Sequence, residues 1–282
     1  NDDVIQVIGD TNKINSGDGN DVLIVKGINN SVSGGEGNDI IYIANDVNSI
    51  DGGNGFDIIS YSQKDSGVTL SAAFWQGYTN VEGVIGTAHA DQITGTDGDD
   101  YIEGGGGQDT LDGGVGYDTL GFAGASQGVD ANLQTGVARL ADNSSLGQFS
   151  NFEGIQGGAF NDTLAGDAGD NRIDGGAGDD FIAGGAGNDT LSGDVGQNTL
   201  DGGDGFDFAD YSASNDAINV NFATGEISGG HADNDSLVSI EGVIGSAYDD
   251  TLAAGLQAVH FIGGAGDDLL ISGMGADTLE GG

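Results

Sequence analysis

The chain has 282 residues, of which 57 are glycine, and it contains neither proline nor cysteine. Its 46 acidic residues far outnumber its 5 lysine and arginine residues and give a formal charge of −41. This balance argues against nucleic acid as a partner, because phosphate binding needs a basic face, and the lack of cysteine excludes disulfides and thiolate metal sites.

The first block of the chain, residues 1–60, is a repeat with a fixed period. One edge of the repeat is marked by Asp3, Asp21, Asp39 and Asp57, and the other edge by Asn12, Asn30 and Asn48. Aliphatic pairs such as Val22–Leu23 follow each Asp, which indicates short strands stacked coil on coil in a solenoid. We expect the Asn side chains to hydrogen-bond up their ladder and to satisfy turn amides without a metal.

Three interruptions of similar sequence separate this block from later ones, at residues 61–85, 122–156 and 211–244. Each contains a segment with period-two alternation: GVTLSAAF at 67–74, GVDANLQTG at 128–136 and AINVNFATG at 217–225. This alternation predicts β-hairpin insertions that cap and join the blocks. A ligand-binding surface is the alternative, with Phe74, Trp75 and Tyr78 as candidates for stacking on a sugar.

The remaining blocks, 86–121, 157–210 and 245–282, are built from nonapeptides of the pattern G-G-x-G-x-D-x-U-x, where U is a large aliphatic residue. Consecutive examples are GGAGDDFIA from Gly175 and GGAGNDTLS from Gly184. The glycines allow a tight turn with positive φ, and the last three residues form a short strand with U directed inward. Two nonapeptides complete one coil of the solenoid. The fold class predicted is therefore all-β, a parallel β-roll in several blocks separated by hairpin insertions.

Stacked carboxylates in these blocks require a cation. The pairs that lie one coil apart are Asp91 and Asp109, Asp100 and Asp118, Asp162 and Asp180, Asp189 and Asp207, and Asp250 and Asp268. At the spacing of about 4.8 Å between neighbouring strands such groups repel each other strongly. The carboxylates and the turn carbonyls are hard oxygen ligands, which suit Ca²⁺ better than Zn²⁺ or Cu²⁺.

The nonapeptide resembles that of the RTX (repeat-in-toxin) family, also called haemolysin-type calcium-binding repeats. The resemblance implies that one loop supplies the carbonyls of its second and fourth residues and its Asp. It also implies that the equivalent loop of the next coil supplies the carbonyls of its first and third residues and its Asp. In block 1–60 calcium would then lie on the Asp edge alone.

The site residues implied by the resemblance follow from this scheme. In block 1–60 they are Gly17, Gly19 and Asp21 with Gly34, Glu36 and Asp39, and Gly35, Gly37 and Asp39 with Gly52, Asn54 and Asp57. In block 86–121 they are Asp91 with Gly104, Gly106 and Asp109, and Thr96, Gly98 and Asp100 with Gly113, Val115 and Asp118. In block 157–210 they are Gly158, Phe160 and Asp162 with Gly175, Ala177 and Asp180; Asp167, Gly169 and Asn171 with Gly184, Ala186 and Asp189; Gly176, Gly178 and Asp180 with Gly193, Val195 and Asn198; and Gly185, Gly187 and Asp189 with Gly202, Asp204 and Asp207. In block 245–282 they are Ser246, Tyr248 and Asp250 with Gly263, Ala265 and Asp268.

These pairs predict roughly 6 to 10 bound ions, on the usual ligand requirement of Ca²⁺. Asn171 and Asn198 replace the Asp and remove a charge, so weaker sites are expected there. Asp91, Asp162 and Asp250 lie in loops that have lost glycines, and their sites are expected to be less regular.

Catalytic patterns are missing from the sequence. His89, His231 and His260 form no HExxH motif and have no zinc-site spacing, and no GxSxG elbow is present. The carboxylates recur periodically, whereas a catalytic pair would be singular. We predict that the chain is not an enzyme, and no stretch is apolar enough to insert into a membrane.

The function predicted is a calcium-binding structural module of a secreted or cell-surface bacterial protein, which folds outside the cell where Ca²⁺ is abundant. The chain begins and ends inside a repeat, so we expect it to be a piece of a longer protein. The resemblance implies export of that parent, a surface-layer protein, adhesin or toxin, by a type I secretion system. The alternative is a polysaccharide-binding accessory module of a secreted enzyme such as an alginate epimerase. Self-association through the acidic surface stays open.

Overall fold

A computed structural model describes residues 1–45, 48–71 and 74–282, and the side chains of Asn48, Phe74 and Gln76 lie outside that description. The first sixteen strands along the chain are β1 (Val4–Val7), β2 (Lys13–Asp18), β3 (Val22–Val25), β4 (Asn30–Glu36), β5 (Ile40–Ile43), β6 (Asn48–Asn54), β7 (Ile58–Ser60), β8 (Thr69–Leu70), β9 (Tyr78–Thr79), β10 (Gly83–Thr87), β11 (Gln92–Thr94), β12 (Tyr101–Gly105), β13 (Asp109–Asp112), β14 (Thr119–Gly121), β15 (Val129–Asn132) and β16 (Val137–Leu140). The others are β17 (Ser145–Ser150), β18 (Gly154–Gln156), β19 (Thr163–Ala165), β20 (Arg172–Asp174), β21 (Phe181–Ala186), β22 (Thr190–Ser192), β23 (Thr199–Asp204), β24 (Phe208–Asp210), β25 (Asn219–Asn221), β26 (Glu226–Ser228), β27 (Ser236–Val238), β28 (Gly242–Ile244), β29 (Thr251–Ala253), β30 (His260–Ile262), β31 (Leu269–Ile271) and β32 (Thr278–Glu280).

The helical content among the described residues is two short 3₁₀ turns, Phe74–Gly77 and Gly230–Ala232. None of the helices in this part of the chain is long and apolar enough to cross a membrane. The chain divides into two compact units. Unit 1 comprises residues Asn1–Phe122 and Ser144–Phe152, and unit 2 comprises Ala123–Asn143 and Glu153–Gly282.

Unit 1 is a parallel roll with two faces. One face has the strand order β1-β3-β5-β7-β10-β12-β14, and the other is formed by β2-β4-β6-β9 and by β8-β11-β13-β17. Along the first face, partners in block 1–60 are one coil apart, as in Leu23 beside Ile41 and Ile41 beside Ile59. These three side chains have no exposed surface, so the inward aliphatic residue of each coil stacks into one continuous core.

Unit 2 repeats the same design. One face has the order β18-β20-β22-β24-β28-β30-β32, and the other is formed by β16-β15-β19-β21-β23-β27 and by β26-β25-β29-β31. Ile173 pairs with Leu191, and Leu191 pairs with Ala209. The predicted all-β parallel β-roll is confirmed in both units.

The interruptions contribute strands to the roll. In unit 2 the antiparallel hairpins β15–β16 and β25–β26 each place their first strand in parallel beside a strand of the following block, β19 and β29. The described part of 61–85 contains no antiparallel pair and so differs from the predicted hairpin. There β8 pairs in parallel with β11, and β9 pairs in parallel with β6. β8 and β9 thus each form the end strand of a sheet on the second face of the roll.

Candidate calcium sites

The Asp at the sixth position of the loops forms a ladder along the edge of each unit. Asp39 and Asp189 have no exposed surface. Oδ1 of Asp39 accepts a 2.8 Å hydrogen bond from the N–H of Asp21, and Oδ1 of Asp57 accepts one of 2.8 Å from the N–H of Asp39. One oxygen of each carboxylate is thus fixed by the backbone of the preceding coil.

The second carboxylate oxygen behaves differently. In the part of the chain that the structure describes, the buried Oδ2 atoms without a hydrogen-bond partner are those of Asp21, Asp39, Asp57, Asp180, Asp189, Asp207 and Asp268. Removing a carboxylate oxygen from water without a compensating partner is strongly unfavourable. Seven repetitions of this arrangement therefore indicate that a cation belongs beside these atoms.

Carbonyl oxygens converge on the same places. A Cβ atom added to Gly34, the first residue of its loop, would collide with Oδ2 of Asp39 and with the carbonyl oxygen of Gly52 on the next coil. A Cβ on Gly35 would collide with the carbonyl oxygen of Gly17 on the coil below. The missing side chains leave room where oxygens from two successive loops meet.

The third-position carbonyls have an additional partner. The carbonyl of Glu36 accepts the N–H of Gly19 at 2.7 Å, and that of Asn54 accepts the N–H of Gly37 at 2.8 Å. A carbonyl oxygen has two lone pairs, so these predicted ligands are shared with the backbone of the coil below.

The available donors suit Ca²⁺. They are carboxylate and carbonyl oxygens, the ligands that this ion takes in proteins. Within residues 1–45, 48–71 and 74–282, no group of three or more His, Cys, Asp or Glu side chains could hold a metal ion. A cation at these loops would therefore depend on backbone carbonyls as well as on the Asp ladder.

Backbone conformation separates two kinds of loop. In all seven loops with an unpaired Oδ2, the second residue is a glycine with positive φ: Gly17, Gly35, Gly53, Gly176, Gly185, Gly203 and Gly264, with φ between 84° and 121°. This backbone region is open to glycine and strained for other residues. A second glycine with positive φ therefore accompanies each of these unpaired oxygens, and Gly105 and Gly114 have the same conformation in the loops of Asp109 and Asp118.

In the second kind of loop, the N–H of the second residue donates to the side-chain oxygen of the sixth. The pairs are Thr87 and Asp91, Thr96 and Asp100, Gly158 and Asp162, Asp167 and Asn171, Ser246 and Asp250, and Gly273 and Asp277, at 2.6–2.8 Å. All but the last belong to the first loops after an interruption. Their side-chain oxygens are satisfied by the protein itself, and we call them self-capped loops.

Three of the self-capped loops that follow an interruption have both carboxylate oxygens engaged. Oδ1 of Asp91 accepts the N–H of Val68 at 2.6 Å, and Oδ1 of Asp162 accepts that of Val129 at 2.7 Å. Oδ1 of Asp250 likewise accepts the N–H of Ile218 at 2.8 Å. Strands of the interruptions thus close the ladder at the start of each new block, in the loops that lack the usual glycines.

Comparison with family models gives a match to the RTX calcium-binding nonapeptide repeat over residues 15–43, 26–59, 85–120, 155–182, 176–209 and 244–279, which together make up more than half of the chain. The chain belongs to this RTX family. A search of curated proteins gave no match. The RTX matches fall in the four blocks, beginning at residue 15 in the first, and the three interruptions lie almost wholly between them.

Burial raises the pKa of many RTX carboxyls. The pKa values of Asp57, Asp109, Asp180 and Asp189 are raised to about 6, with desolvation as the largest cause. A backbone hydrogen bond to each carboxylate opposes this rise, and neighbouring acidic residues add to it. These shifts show that the metal-free roll disfavours the charged form that a calcium site needs.

Asn198, which replaces an Asp of the RTX ladder, keeps the hydrogen bonds of that ladder. Oδ1 of Asn198 accepts the N–H of Asp180 at 3.0 Å. The N–H of Asn198 donates at 2.7 Å to Asp235, whose other oxygen accepts the hydroxyl of Tyr211 at 3.0 Å. Asp235 is not predictable from the repeat, because it lies more than two coil lengths beyond Asn198 and does not fit the period.

The other edge of block 1–60 uses Asn side chains. Oδ1 of Asn30 accepts hydrogen bonds from the N–H of Asn12 at 2.8 Å and from its Nδ2 at 3.1 Å. Asn30 is 1% exposed. The side chain of the third predicted member, Asn48, lies outside the described residues. Between Asn12 and Asn30, amide groups occupy the positions that carboxylates have on the opposite edge.

The aromatic residues considered for sugar stacking pack within unit 1. Trp75 donates its indole N–H to the carbonyl of Thr94 at 2.7 Å. It meets Tyr78 edge to face with ring centroids 6.3 Å apart, and Tyr78 is buried. The side chain of Phe74, the third candidate, lies outside the described residues. Two of the three candidates therefore have structural contacts that account for their presence.

Proposed function

We propose that this RTX chain is a calcium-binding structural module of a secreted or cell-surface protein, and that Ca²⁺ binding drives its folding. The observation that supports the proposal is the row of seven buried Asp Oδ2 atoms without a hydrogen-bond partner among the described residues. Calcium beside these atoms would neutralise the charge and supply the missing interactions. Free Ca²⁺ would thereby control how much of the chain is folded.

The energetic argument for coupled folding comes from the thin core. Each coil buries few apolar side chains, whereas ordering its many glycines carries a large entropic cost. A formal charge of −41 adds self-repulsion to the compact state. Ligand that binds the folded state alone stabilises that state by mass action, and several sites in one chain would make folding cooperative.

The cellular setting follows from calcium concentrations. Inside a cell, where free Ca²⁺ is scarce, the chain would stay unfolded, which is the state that passes through a type I secretion channel. Outside, where Ca²⁺ reaches the millimolar range used by extracellular modules, it would fold. We assign no catalytic role to the carboxylates, since they recur once per coil along the roll. The packed positions of Trp75 and Tyr78 favour this function over a saccharide platform.

Isothermal titration calorimetry tests the proposal. Calcium added to calcium-free protein at neutral pH should give saturable binding with a markedly negative heat-capacity change, the signature of apolar burial on binding. Mg²⁺ should not reproduce this, because it demands a rigid octahedral shell and sheds water reluctantly. Failure to bind Ca²⁺, or an equal response to Mg²⁺, would contradict the proposal.

A further inference from the structure

All three interruptions end in a segment that brings a backbone carbonyl to the place of a missing nonapeptide, namely that of Asn80, Asn151 or Ser239. Block 1–60 ends with the loop of Asp57, and no Asp follows it at the next position of the repeat. The N–H of Asp57 instead donates a 2.9 Å hydrogen bond to Oε2 of Glu82, which is 25 residues further on. Glu82 therefore accepts the bond that Asp57 itself accepts from Asp39 one coil below.

A backbone carbonyl is replaced in the same way. A Cβ on Gly52 would collide with the carbonyl oxygen of Asn80 and lie close to Oδ2 of Asp57. One coil below, a Cβ on Gly34 meets the carbonyl of Gly52 and Oδ2 of Asp39. Asn80 has φ 50°, an uncommon conformation for a residue other than glycine. Its carbonyl oxygen thus lies where the first residue of the next loop would place one.

The end of block 157–210 shows the same arrangement. The N–H of Asp207 donates to Oε2 of Glu241 at 3.1 Å, across 34 residues. A Cβ on Gly202 would meet the carbonyl of Ser239 and Oδ2 of Asp207, and Ser239 has φ 50°. The two interruptions separate Asp from Glu by different numbers of residue positions, 25 and 34, and still give the same geometry. The arrangement therefore does not depend on the length of the interruption. We call residues 80–82 and 239–241, which carry the carbonyl and the Glu, the exit segments.

Backbone hydrogen bonds hold the exit segment in position. The N–H groups of Glu82 and Gly83 both donate to the carbonyl of Asp57, at 3.1 and 2.9 Å. Those of Glu241 and Gly242 donate to the carbonyl of Asp207 at 3.0 and 2.8 Å. Each Glu is thereby fixed directly above the last Asp of its block.

The last Asp of each block still has an unsatisfied oxygen. Asp57 and Asp207 are 0% exposed, and the Oδ2 of each has no hydrogen-bond partner among the described residues. At the other edge of unit 2, Asp235 also replaces a missing loop, but the ladder residue below it is Asn198, which has no second carboxylate oxygen, and the second oxygen of Asp235 accepts the hydroxyl of Tyr211. An unpaired buried oxygen thus accompanies the two Glu residues and is missing where Asp235 takes that place.

We propose that Glu82 and Glu241 each complete a further calcium site, in which the exit segment of an interruption replaces the upper nonapeptide loop. The first site would use Asp57, Glu82 and the carbonyl of Asn80, with the carbonyls of Gly53 and Gly55 below. The second would use Asp207, Glu241 and the carbonyl of Ser239, with those of Gly203 and Gly205 below. The inference rests on the proposed calcium function and extends it to residues outside the nonapeptides. Calcium would then bind the interruptions to the roll.

The test replaces each Glu by Gln in the full chain, as Glu82→Gln, Glu241→Gln and the double variant. Glutamine keeps an oxygen for the N–H of Asp57 or Asp207 and removes the charge. Glu226→Gln, at an exposed position of strand β26, is the matched control. Equilibrium dialysis against radioactive Ca²⁺ should show one fewer tightly bound ion in each single variant and two fewer in the double variant, with the control unchanged.

The outcomes separate this inference from the function on which it rests. Unchanged calcium stoichiometry and affinity in the Gln variants, with calcium still bound by the native chain, would overturn the inference alone. A native chain that binds no calcium would overturn both proposals. Should a variant fail to fold at saturating Ca²⁺, anomalous diffraction from crystals of the native chain decides. A calcium peak beside the Glu82 carboxylate supports the site, and a map without one refutes it.

Discussion

The backbone N–H of Thr96 donates a 2.6 Å hydrogen bond to Oδ2 of Asp100, and so the protein itself satisfies that oxygen. In the loop of Asp189 the equivalent oxygen is buried without a partner in the described structure, and the second residue is Gly185 with φ 114°. Loops of nearly the same sequence thus differ in their need for a cation. The loss of calcium affinity on substitution of the Asp should therefore differ between the two kinds of loop.

Substitution of Asp tests the division directly. Asp189→Asn should weaken calcium binding at its loop by at least tenfold, about 1.4 kcal/mol, because it removes the charge of an oxygen that has no other partner. Asp91→Asn is the matched variant in a self-capped loop, where both oxygens accept backbone or Thr87 hydrogen bonds. Its effect on calcium affinity should be much smaller. Calorimetric titration of both variants checks this, and equal losses would contradict it.

Strain at the second loop position can be separated from steric collision. Gly17→Ala and Gly185→Ala both place a side chain at positive φ, 110° and 114°, which costs roughly 1–2 kcal/mol. A Cβ on Gly17 meets nothing, whereas one on Gly185 collides with the carbonyl of Asp167. Urea unfolding in saturating Ca²⁺ should therefore show a clearly larger loss for Gly185→Ala. Equal losses would mean that close stacking of the loops is unimportant.

The raised carboxyl pKa values predict that the folded state of the calcium-free protein loses stability as the pH rises. Asp57, Asp109, Asp180 and Asp189 have pKa values of about 6 in the roll, against about 3.9 in an unfolded chain. The folded state holds these protons more tightly, so their contribution to stability is fully present below the unfolded value and is lost as the pH rises through about 6.

Far-UV circular dichroism in calcium-free buffer should thus show more β-structure at a pH between the unfolded and folded pKa values than at a slightly alkaline pH. Saturating Ca²⁺ should abolish the loss at the higher pH, since bound cations replace protons as the partner of the carboxylates. Calcium-free β-structure that increases over this pH interval would contradict the argument.

The Asn edge of block 1–60 should be independent of metal. Asn30→Ala removes two hydrogen bonds from Asn12 and leaves its N–H unpaired, at a cost of about 1–3 kcal/mol. Unfolding in saturating Ca²⁺ should show this loss, while the calcium affinity per site stays at its native value. A large fall in affinity would show that the two edges are coupled.

Much of the roll follows from the sequence, because the period fixes the register. The spacing of one coil places Leu23 beside Ile41 and Ile41 beside Ile59, as observed. The next partner of Ile59 is Val84, which lies well beyond one coil length along the chain, and no periodicity could indicate that jump. The parallel pairing of β15 with β19 also depends on tertiary contact, since an alternating pattern specifies a strand without naming its neighbour.

The Asp residues within each ladder could be predicted from the sequence, whereas the contacts at the ends of the ladders could not. Asp39 and Asp189 follow from the repeat itself. The sequence predicts Thr96 as a ligand through its carbonyl. The hydrogen bond from its N–H to Asp100 is not predictable, because the direction of an N–H depends on a backbone rotation that composition does not reveal. Glu82 lies outside the nonapeptide pattern. Its signal in the sequence is the similarity of the two short segments that precede the return of the repeats, VEGV and IEGV.

Far-UV circular dichroism of the native chain, followed at slightly alkaline pH while Ca²⁺ is titrated from a chelated start, tests the central claim most directly. A roll that folds on calcium should give little β signal in chelator, a steep cooperative gain with Ca²⁺ and no such gain with Mg²⁺. A β signal already complete in chelator would contradict it, because the core and the Asn edge would then suffice to fold the roll.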